Sequence, residues 1–135
     1  MKKCLMLVLA VAAVSVFAQR ATYSDRSGRT YRTSTQSGNR TVYRDSSGRI
    51  TGSSSQQGNR TIYRDSSGRT KATASPNGNR MIYRDSSGRI IGSSEKVGNR
   101  VIYRDSSGRV TKTATRNGNR VIYRDSSGRI IGTKR

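Results

Sequence analysis

From residue 19 onward, short apolar runs and polar stretches alternate along this chain with almost no slippage. Runs such as Met81-Ile82-Tyr83 and Val101-Ile102-Tyr103 each lie between glycine-bearing polar segments. The tyrosines Tyr23, Tyr43, Tyr63, Tyr83, Tyr103 and Tyr123 recur with a period of 20, and a fixed period of that size announces a repeat architecture. A finer ruler lies beneath it, with a glycine every ten residues from Gly28 to Gly128. Turns at that spacing leave about six residues between them, the commonest strand length. The β-branched and aromatic residues midway between turns favour strands, whereas disordered Gly/Ser/Arg text would not require them.

The glycines read as turns for a stereochemical reason. In Ser75-Pro76-Asn77-Gly78, proline presets φ for the second position of a type I turn. Asparagine tolerates the third, and glycine takes the left-handed φ that follows. Asp85-Ser86-Ser87-Gly88 has the same layout, with a carboxylate placed to accept backbone N–H groups further round the turn. A type I turn followed by a left-handed glycine is a three-residue hairpin loop with a bulge.

Using one turn type throughout sets a register. Tyr43 then faces Thr51, and Thr51 faces Tyr63; Asp45 faces Arg49, and Arg49 faces Asp65. This predicts a ladder of alternating charge through Asp45, Arg49, Asp65, Arg69, Asp85, Arg89, Asp105, Arg109, Asp125 and Arg129, each pairing contributing about 0.2–1 kcal/mol. The tyrosines share that face. Val42, Ile62, Ile82, Ile102 and Ile122 take the reverse face, with Ile50, Ile90, Val110 and Ile130 offset from them. The expected fold is all-β, a repetitive antiparallel β-hairpin meander of about ten to twelve short strands. It is expected as a thin single sheet or an open solenoid-like sheet, its exposed edges partly managed by arginine density.

Residues 1–18 read as a separate signal peptide. Lys2 and Lys3 form the positive n-region, Leu5 to Phe17 is an apolar core too short to span a bilayer comfortably, and Val16-Phe17-Ala18 fits the cleavage rule. Cleavage after Ala18 would make the protein secreted, periplasmic or surface-held, without a membrane span. The only cysteine, Cys4, lies in this segment, so disulfides, thiol nucleophiles and cysteine metal sites are excluded from the mature chain. Residues 19–135 then form a single repeat domain, with units starting near 19, 38, 58, 78, 98 and 118. Ser24, Arg26 and Tyr31 make the first unit degenerate, as capping repeats often are. The second halves alternate between two flavours, ITGSSSQQ and IIGSSEKV against TKATASPN and VTKTATRN, which points to duplication of a two-unit block.

Composition narrows the function. With 30% hydrophobic residues, no tryptophan and a single phenylalanine, Phe17, a thick core is excluded. The formal charge is +20, or about +18 once Lys2 and Lys3 are removed. Strand alternation sends two arginines of each unit to one face, and neither has an expected acidic partner within the repeat. These are Arg40, Arg44, Arg60, Arg64, Arg80, Arg84, Arg100, Arg104, Arg120 and Arg124, the candidate polyanion-binding residues. Such rows create a positive field that attracts polyanions and weakens with salt. For an exported cation the acidic polymers at hand are cell-envelope polysaccharide, lipopolysaccharide and extracellular DNA. Arginine interleaved with tyrosine also suits single-strand nucleic-acid platforms, although export argues against an intracellular role. The competing expectation is a purely structural repeat that self-associates edge to edge without a specific ligand.

Catalysis has little to work with. There is no histidine, the aspartates sit at hairpin corners, and Ser46-Ser47 has no base to activate it. The chain is expected to be non-enzymatic, with no cofactor and no metal. Asn39-Arg40-Thr41 and Asn59-Arg60-Thr61 match the N-glycosylation pattern, which matters only in a eukaryote.

The segment Tyr83-Arg84-Asp85-Ser86-Ser87-Gly88-Arg89-Ile90 resembles the YD repeats of the Rhs family. The matching positions are Tyr83, Asp85, Gly88, Arg89 and Ile90, and Arg84 stands where that family has a second tyrosine. The resemblance implies β-hairpin repeats in an exported protein, although this chain is too short to form the family's toxin-enclosing shell. Choline-binding cell-wall repeats are similar in rhythm. Without tryptophan, the aromatic cage for a quaternary ammonium is missing here. The chain also resembles small uncharacterised bacterial secreted proteins built from YRDSSGR text.

Overall fold

A computed structural model describes residues 19–135. The predicted signal peptide, with Cys4, lies outside the described residues. Twelve strands run in order: β1 (Gln19–Asp25), β2 (Thr30–Ser37), β3 (Arg40–Asp45), β4 (Ile50–Gln57), β5 (Arg60–Asp65), β6 (Thr70–Asn77), β7 (Arg80–Asp85), β8 (Ile90–Val97), β9 (Arg100–Asp105), β10 (Val110–Asn117), β11 (Arg120–Asp125) and β12 (Ile130–Lys134). All pair antiparallel with their sequence neighbours, as the glycine ruler predicts. The overall form differs from the expectation: the sheet is neither open nor solenoidal but a closed barrel, in which β1 also pairs with β12. Tyr23, Ser24 and Asp25 lie opposite Lys134, Thr133 and Gly132. The amide of Thr22 donates to the carbonyl of Arg135 at 2.8 Å, and that of Arg135 to Thr22 at 2.9 Å. Closure satisfies both end strands, so the described sheet has no edge to protect.

Two kinds of turn alternate and give the barrel two unlike rims. At one rim, Asp45-Ser46-Ser47-Gly48-Arg49 and its five equivalents form the expected three-residue loop. The amide of Gly48 donates to the Asp45 carbonyl at 3.1 Å, and that of Asp45 to the Arg49 carbonyl at 2.9 Å. Asp45 Oδ1 accepts the amides of Ser47 at 2.9 Å and Arg49 at 3.0 Å. Gly48 holds φ at +82°, in the left-handed region.

At the other rim the loop is shorter than expected. Gln57 pairs directly with Arg60, leaving Gly58-Asn59 as a two-residue turn with Gly58 at φ +57°, the geometry of a primed hairpin turn. Ser75-Pro76-Asn77-Gly78 is therefore not a turn led by proline: Pro76 lies inside β6, opposite Met81. It occupies the place where Gln56 and Arg116 donate their amides to the carbonyls of Asn39 and Asn99. Proline has no N–H to give there and forgoes only that one bond.

The shorter turn and a bulge together overturn the predicted register. After the aspartate turn, Arg44 faces Ile50 but Tyr43 faces Gly52, which leaves Thr51 bulged out of the ladder. Beyond the Gly-Asn turn, Tyr63 faces Ser54 and Asp65 faces Gly52. Asp65 therefore does not face Arg49, and the alternating charge ladder does not form. The aspartates serve their own turns instead.

Alternation around the closed wall separates the faces as expected in kind. The Val42 and Ile62 row looks outward, and the tyrosine row looks inward. Below the tyrosines, toward the Gly-Asn rim, the interior is a tight layer of small and medium side chains. Thr41, Thr61, Met81 and Val101 there meet Ser54, Ala74, Ser94 and Ala114, all of them buried. The low hydrophobic content suffices because closure, rather than side-chain bulk, keeps water from this layer.

Candidate functional site

The ten arginines singled out from the sequence all stand on the outer wall, in two rings. Arg40, Arg60, Arg80, Arg100 and Arg120 open the odd-numbered strands near the Gly-Asn rim, and Arg44, Arg64, Arg84, Arg104 and Arg124 precede the aspartate turns. The second ring is orderly because each guanidinium folds onto its own turn. Nη1 of Arg44, Arg84, Arg104 and Arg124 donates to the carbonyl of the turn glycine at 3.1 Å, and that of Arg64 at 3.3 Å. These bonds use part of each guanidinium fork and leave its charge uncompensated. Arg80 departs from the expectation: its Nε lies 3.8 Å from Glu95 Oε2, across the strand. The bulge beyond the aspartate turn was needed to see this, since it is the one-residue shift between β7 and β8 that sets Glu95 opposite Arg80.

The structure brings together a second site that the sequence reading missed. The lumen holds a cavity of about 630 Å³, lined by all six repeat tyrosines. Its mouth at the aspartate rim is ringed by the bulged residues Tyr31, Thr51, Lys71, Ile91, Thr111 and Ile131. Tyr43 and Tyr83 are fixed by hydroxyl contacts to Ser54 and Ser94, at 3.1 and 2.9 Å. Burial raises the phenol pKa of Tyr43, and it raises those of Tyr63, Tyr103 and Tyr123 well above the ordinary value. Neighbouring phenols add to the rise for these three, so the hydroxyls stay protonated and available as donors.

Beside the tyrosines runs the row Arg32, Gly52, Ala72, Gly92, Lys112 and Gly132. An added Cβ at Gly52 or Gly92 would fall 2.5 or 2.6 Å from the carbonyl oxygen of Arg64 or Arg104, so β4 and β8 run too close to their neighbours for a Cβ, whereas β2, β6 and β10 carry one at the equivalent Arg32, Ala72 and Lys112. Arg32 and Lys112 break the row with long cations that enter the lumen. The Arg32 guanidinium lies between two rings, 4.5 Å from the Tyr23 centroid and 4.6 Å from that of Tyr43. Lys112 Nζ lies 4.7 Å from Tyr103 and 5.8 Å from Tyr123. Burial lowers the Lys112 pKa, and the charge of Arg32 lowers it further.

No family model, curated protein or solved structure matches this chain.

The two sites therefore have to be weighed on their own chemistry. Among the described residues no cluster of histidine, cysteine or acidic side chains is placed to hold a metal ion. The outer wall offers repeated cations, and the lumen offers phenols with two enclosed cations. The signal for the lumen was present in the sequence as a broken repeat: two long basic residues stand in a row otherwise occupied by glycine and alanine, two positions from an inward tyrosine's strand partner.

Proposed function

We propose that this is an exported, non-enzymatic barrel that associates with acidic polymers of the cell envelope or matrix through its outer arginine rings. One observation carries the reading: ten arginines face outward in two rings, with Glu95 the acidic partner found for one of them. Each arginine–anion contact at an exposed wall is weak, but many on one rigid scaffold gain from effective concentration. The YD-type text from Tyr83 to Ile90 supports export rather than any particular ligand.

The wall is unsuited to lipid. The two rings are four residues apart on the same strand, about 13 Å at the usual rise, where a membrane barrel needs an apolar band of about 25 Å. Self-association edge to edge is disfavoured by the seam, since closure leaves that reading without the open strands it requires.

Retention on a heparin column against salt, beside sedimentation of the same sample, tests the proposal. Elution should move to lower salt as the Arg44-type ring is replaced by glutamine, because each neutralised contact reduces the salt dependence. Weak retention of the unaltered protein together with salt-stable oligomers would leave the structural reading standing instead.

A further inference from the structure

The barrel interior carries chemistry that the outer rings do not explain. Ala72 occupies the same place in β6 that Arg32 occupies in β2 and Lys112 in β10, so a methyl group suffices for the fold at this position. Two long cations have been put into an enclosed space instead. Desolvating charge is unfavourable unless something compensates it, and the compensation here is incomplete. The rings of Tyr23 and Tyr43 attract the Arg32 guanidinium, but a ring face accepts no hydrogen bond from an N–H lying in the guanidinium plane. Nε of Arg32 is fully enclosed and has no hydrogen-bond partner.

Among the described residues no carboxylate forms an ion pair with either charge: Asp45 and Asp125, the strand partners of Arg32 and Lys112, accept the amides of their own turns. Asp65 lines the cavity, but its Oδ1 is engaged by the amides of Ser67 at 2.9 Å and Arg69 at 3.0 Å. Glu95 is on the outer wall beside Arg80. Arg32 and Lys112 line the same cavity, and the charge of Arg32 disfavours that of Lys112, a repulsion that an anion between them would offset.

From this geometry we propose that the lumen is a binding site for one small organic oxyanion, a carboxylate- or phosphate-bearing molecule reached by both Arg32 and Lys112. The volume of about 630 Å³ is that of a small-molecule pocket, which typically runs to about 300–1,000 Å³. It exceeds the need of a bare ion, so the ligand has a body as well as a charge. That body lies among tyrosine rings, which favour a flat apolar or aromatic group, and protonated phenols add donors for the oxyanion. Arg32 supplies the planar fork that suits carboxylate and phosphate, and Lys112 a point charge. The mouth at the aspartate rim, with Lys71 on its edge, provides entry. This site is separate from the arginine rings, and either could fail without the other.

Calorimetric titration of the purified protein with benzoate, phenyl phosphate, inorganic phosphate and neutral benzamide tests the site. Benzoate or phenyl phosphate should bind at one site per chain, more tightly than inorganic phosphate, and the stronger of the two identifies the preferred headgroup. Benzamide should give no saturable heat. Arg32→Gln and Lys112→Gln should each weaken binding about tenfold or more. Arg32→Lys should lose less, and the outer-wall pair Arg44→Gln with Arg84→Gln, neither of which lines the cavity, should change nothing. Because a lumen variant can misfold, NMR of the unaltered protein supplies an independent reading: the bound anion should shift the ring signals of Tyr23, Tyr43, Tyr103 and Tyr123. Absence of saturable binding by either organic anion would overturn the proposal. So would binding that survives Arg32→Gln and Lys112→Gln, or shifts confined to the turn arginines.

Discussion

The outer and inner faces of this barrel are built from the same strands and obey opposite rules. Outside, the repeat is nearly invariant: arginine, an aliphatic residue and arginine again, on every odd strand from β3 to β11. Inside, the tyrosine is invariant but its neighbouring row changes from Gly52 to Arg32 or Lys112. A feature copied onto every unit can only act collectively, through the number and spacing of equal contacts. A feature present in two units out of six can define a single place. In a repetitive chain, the departures from the repeat are therefore where an individual site is to be sought.

The largest test of this contrast removes the seam. Deleting residues 130–135 takes away β12, exposes β1 and β11, and opens the lumen while leaving the outer rings intact. Sedimentation should then show self-association through the exposed edges, and ligand binding inside the barrel should vanish. A monomeric protein with unchanged melting would mean that closure is dispensable.

Alkaline pH probes the inner face next. The buried tyrosines have phenol pKa values raised in the folded state. Their contribution to stability is therefore fully present below the unfolded value of about 10 and is lost as pH rises beyond it. Lys112, with a lowered folded value, opposes this because its penalty is relieved as pH rises. Four phenols outweigh one ammonium, so the net trend above about pH 10 is destabilising. Tyrosinate absorbance should lag the free phenol curve and then rise together with loss of the β-sheet circular dichroism signal. Titration of Tyr43, Tyr63, Tyr103 and Tyr123 near the free value in a folded barrel would contradict their burial.

Much of this was legible in the text of the sequence, and the missing parts share a cause. Asp85 and Gly88 announce their turn through local stereochemistry, and the strands follow from spacing alone. The Gly58-Asn59 turn was misread because glycine signals a left-handed φ without fixing how many residues the loop contains. One misplaced loop length moves every cross-strand pair beyond it, which is why the predicted pairing of Arg49 with Asp65 dissolves while Asp45 still faces Arg49 across the turn. Closure depends on strand number, tilt and the bulges at Thr51 and its equivalents, properties of the whole sheet that no single unit displays. The lumen could not be recognised until closure decided which face was inside, and only then does the row holding Arg32 and Lys112 acquire a meaning.

Two smaller substitutions sharpen the comparison between wall and turn. Gly92→Ala forces a Cβ to within 2.6 Å of the Arg104 carbonyl oxygen and should cost about 1–3 kcal/mol, as overpacking does. Gly88→Ala meets open space but must hold φ at +84°, a penalty of roughly 1 kcal/mol. Ser87→Ala keeps the backbone amide that Asp85 binds and should stay within about 0.5 kcal/mol of the parent. Urea denaturation of the three variants should rank them in that order. Equal midpoints for Gly88→Ala and Ser87→Ala would show that the turn geometry is wrong.

The pairing of β1 with β12 also has a consequence in time. The other strand pairings join immediate sequence neighbours, so each hairpin can form on its own within about 1–10 μs. The last pairing must bring Thr22 to Arg135 across the whole described chain. It gains its ladder only after every earlier hairpin has curved the same way. Assembly should therefore be fast and local until its final step, and slow there. Once the hoop has joined, neither end strand can fray alone, and opening anywhere begins at that one clasp.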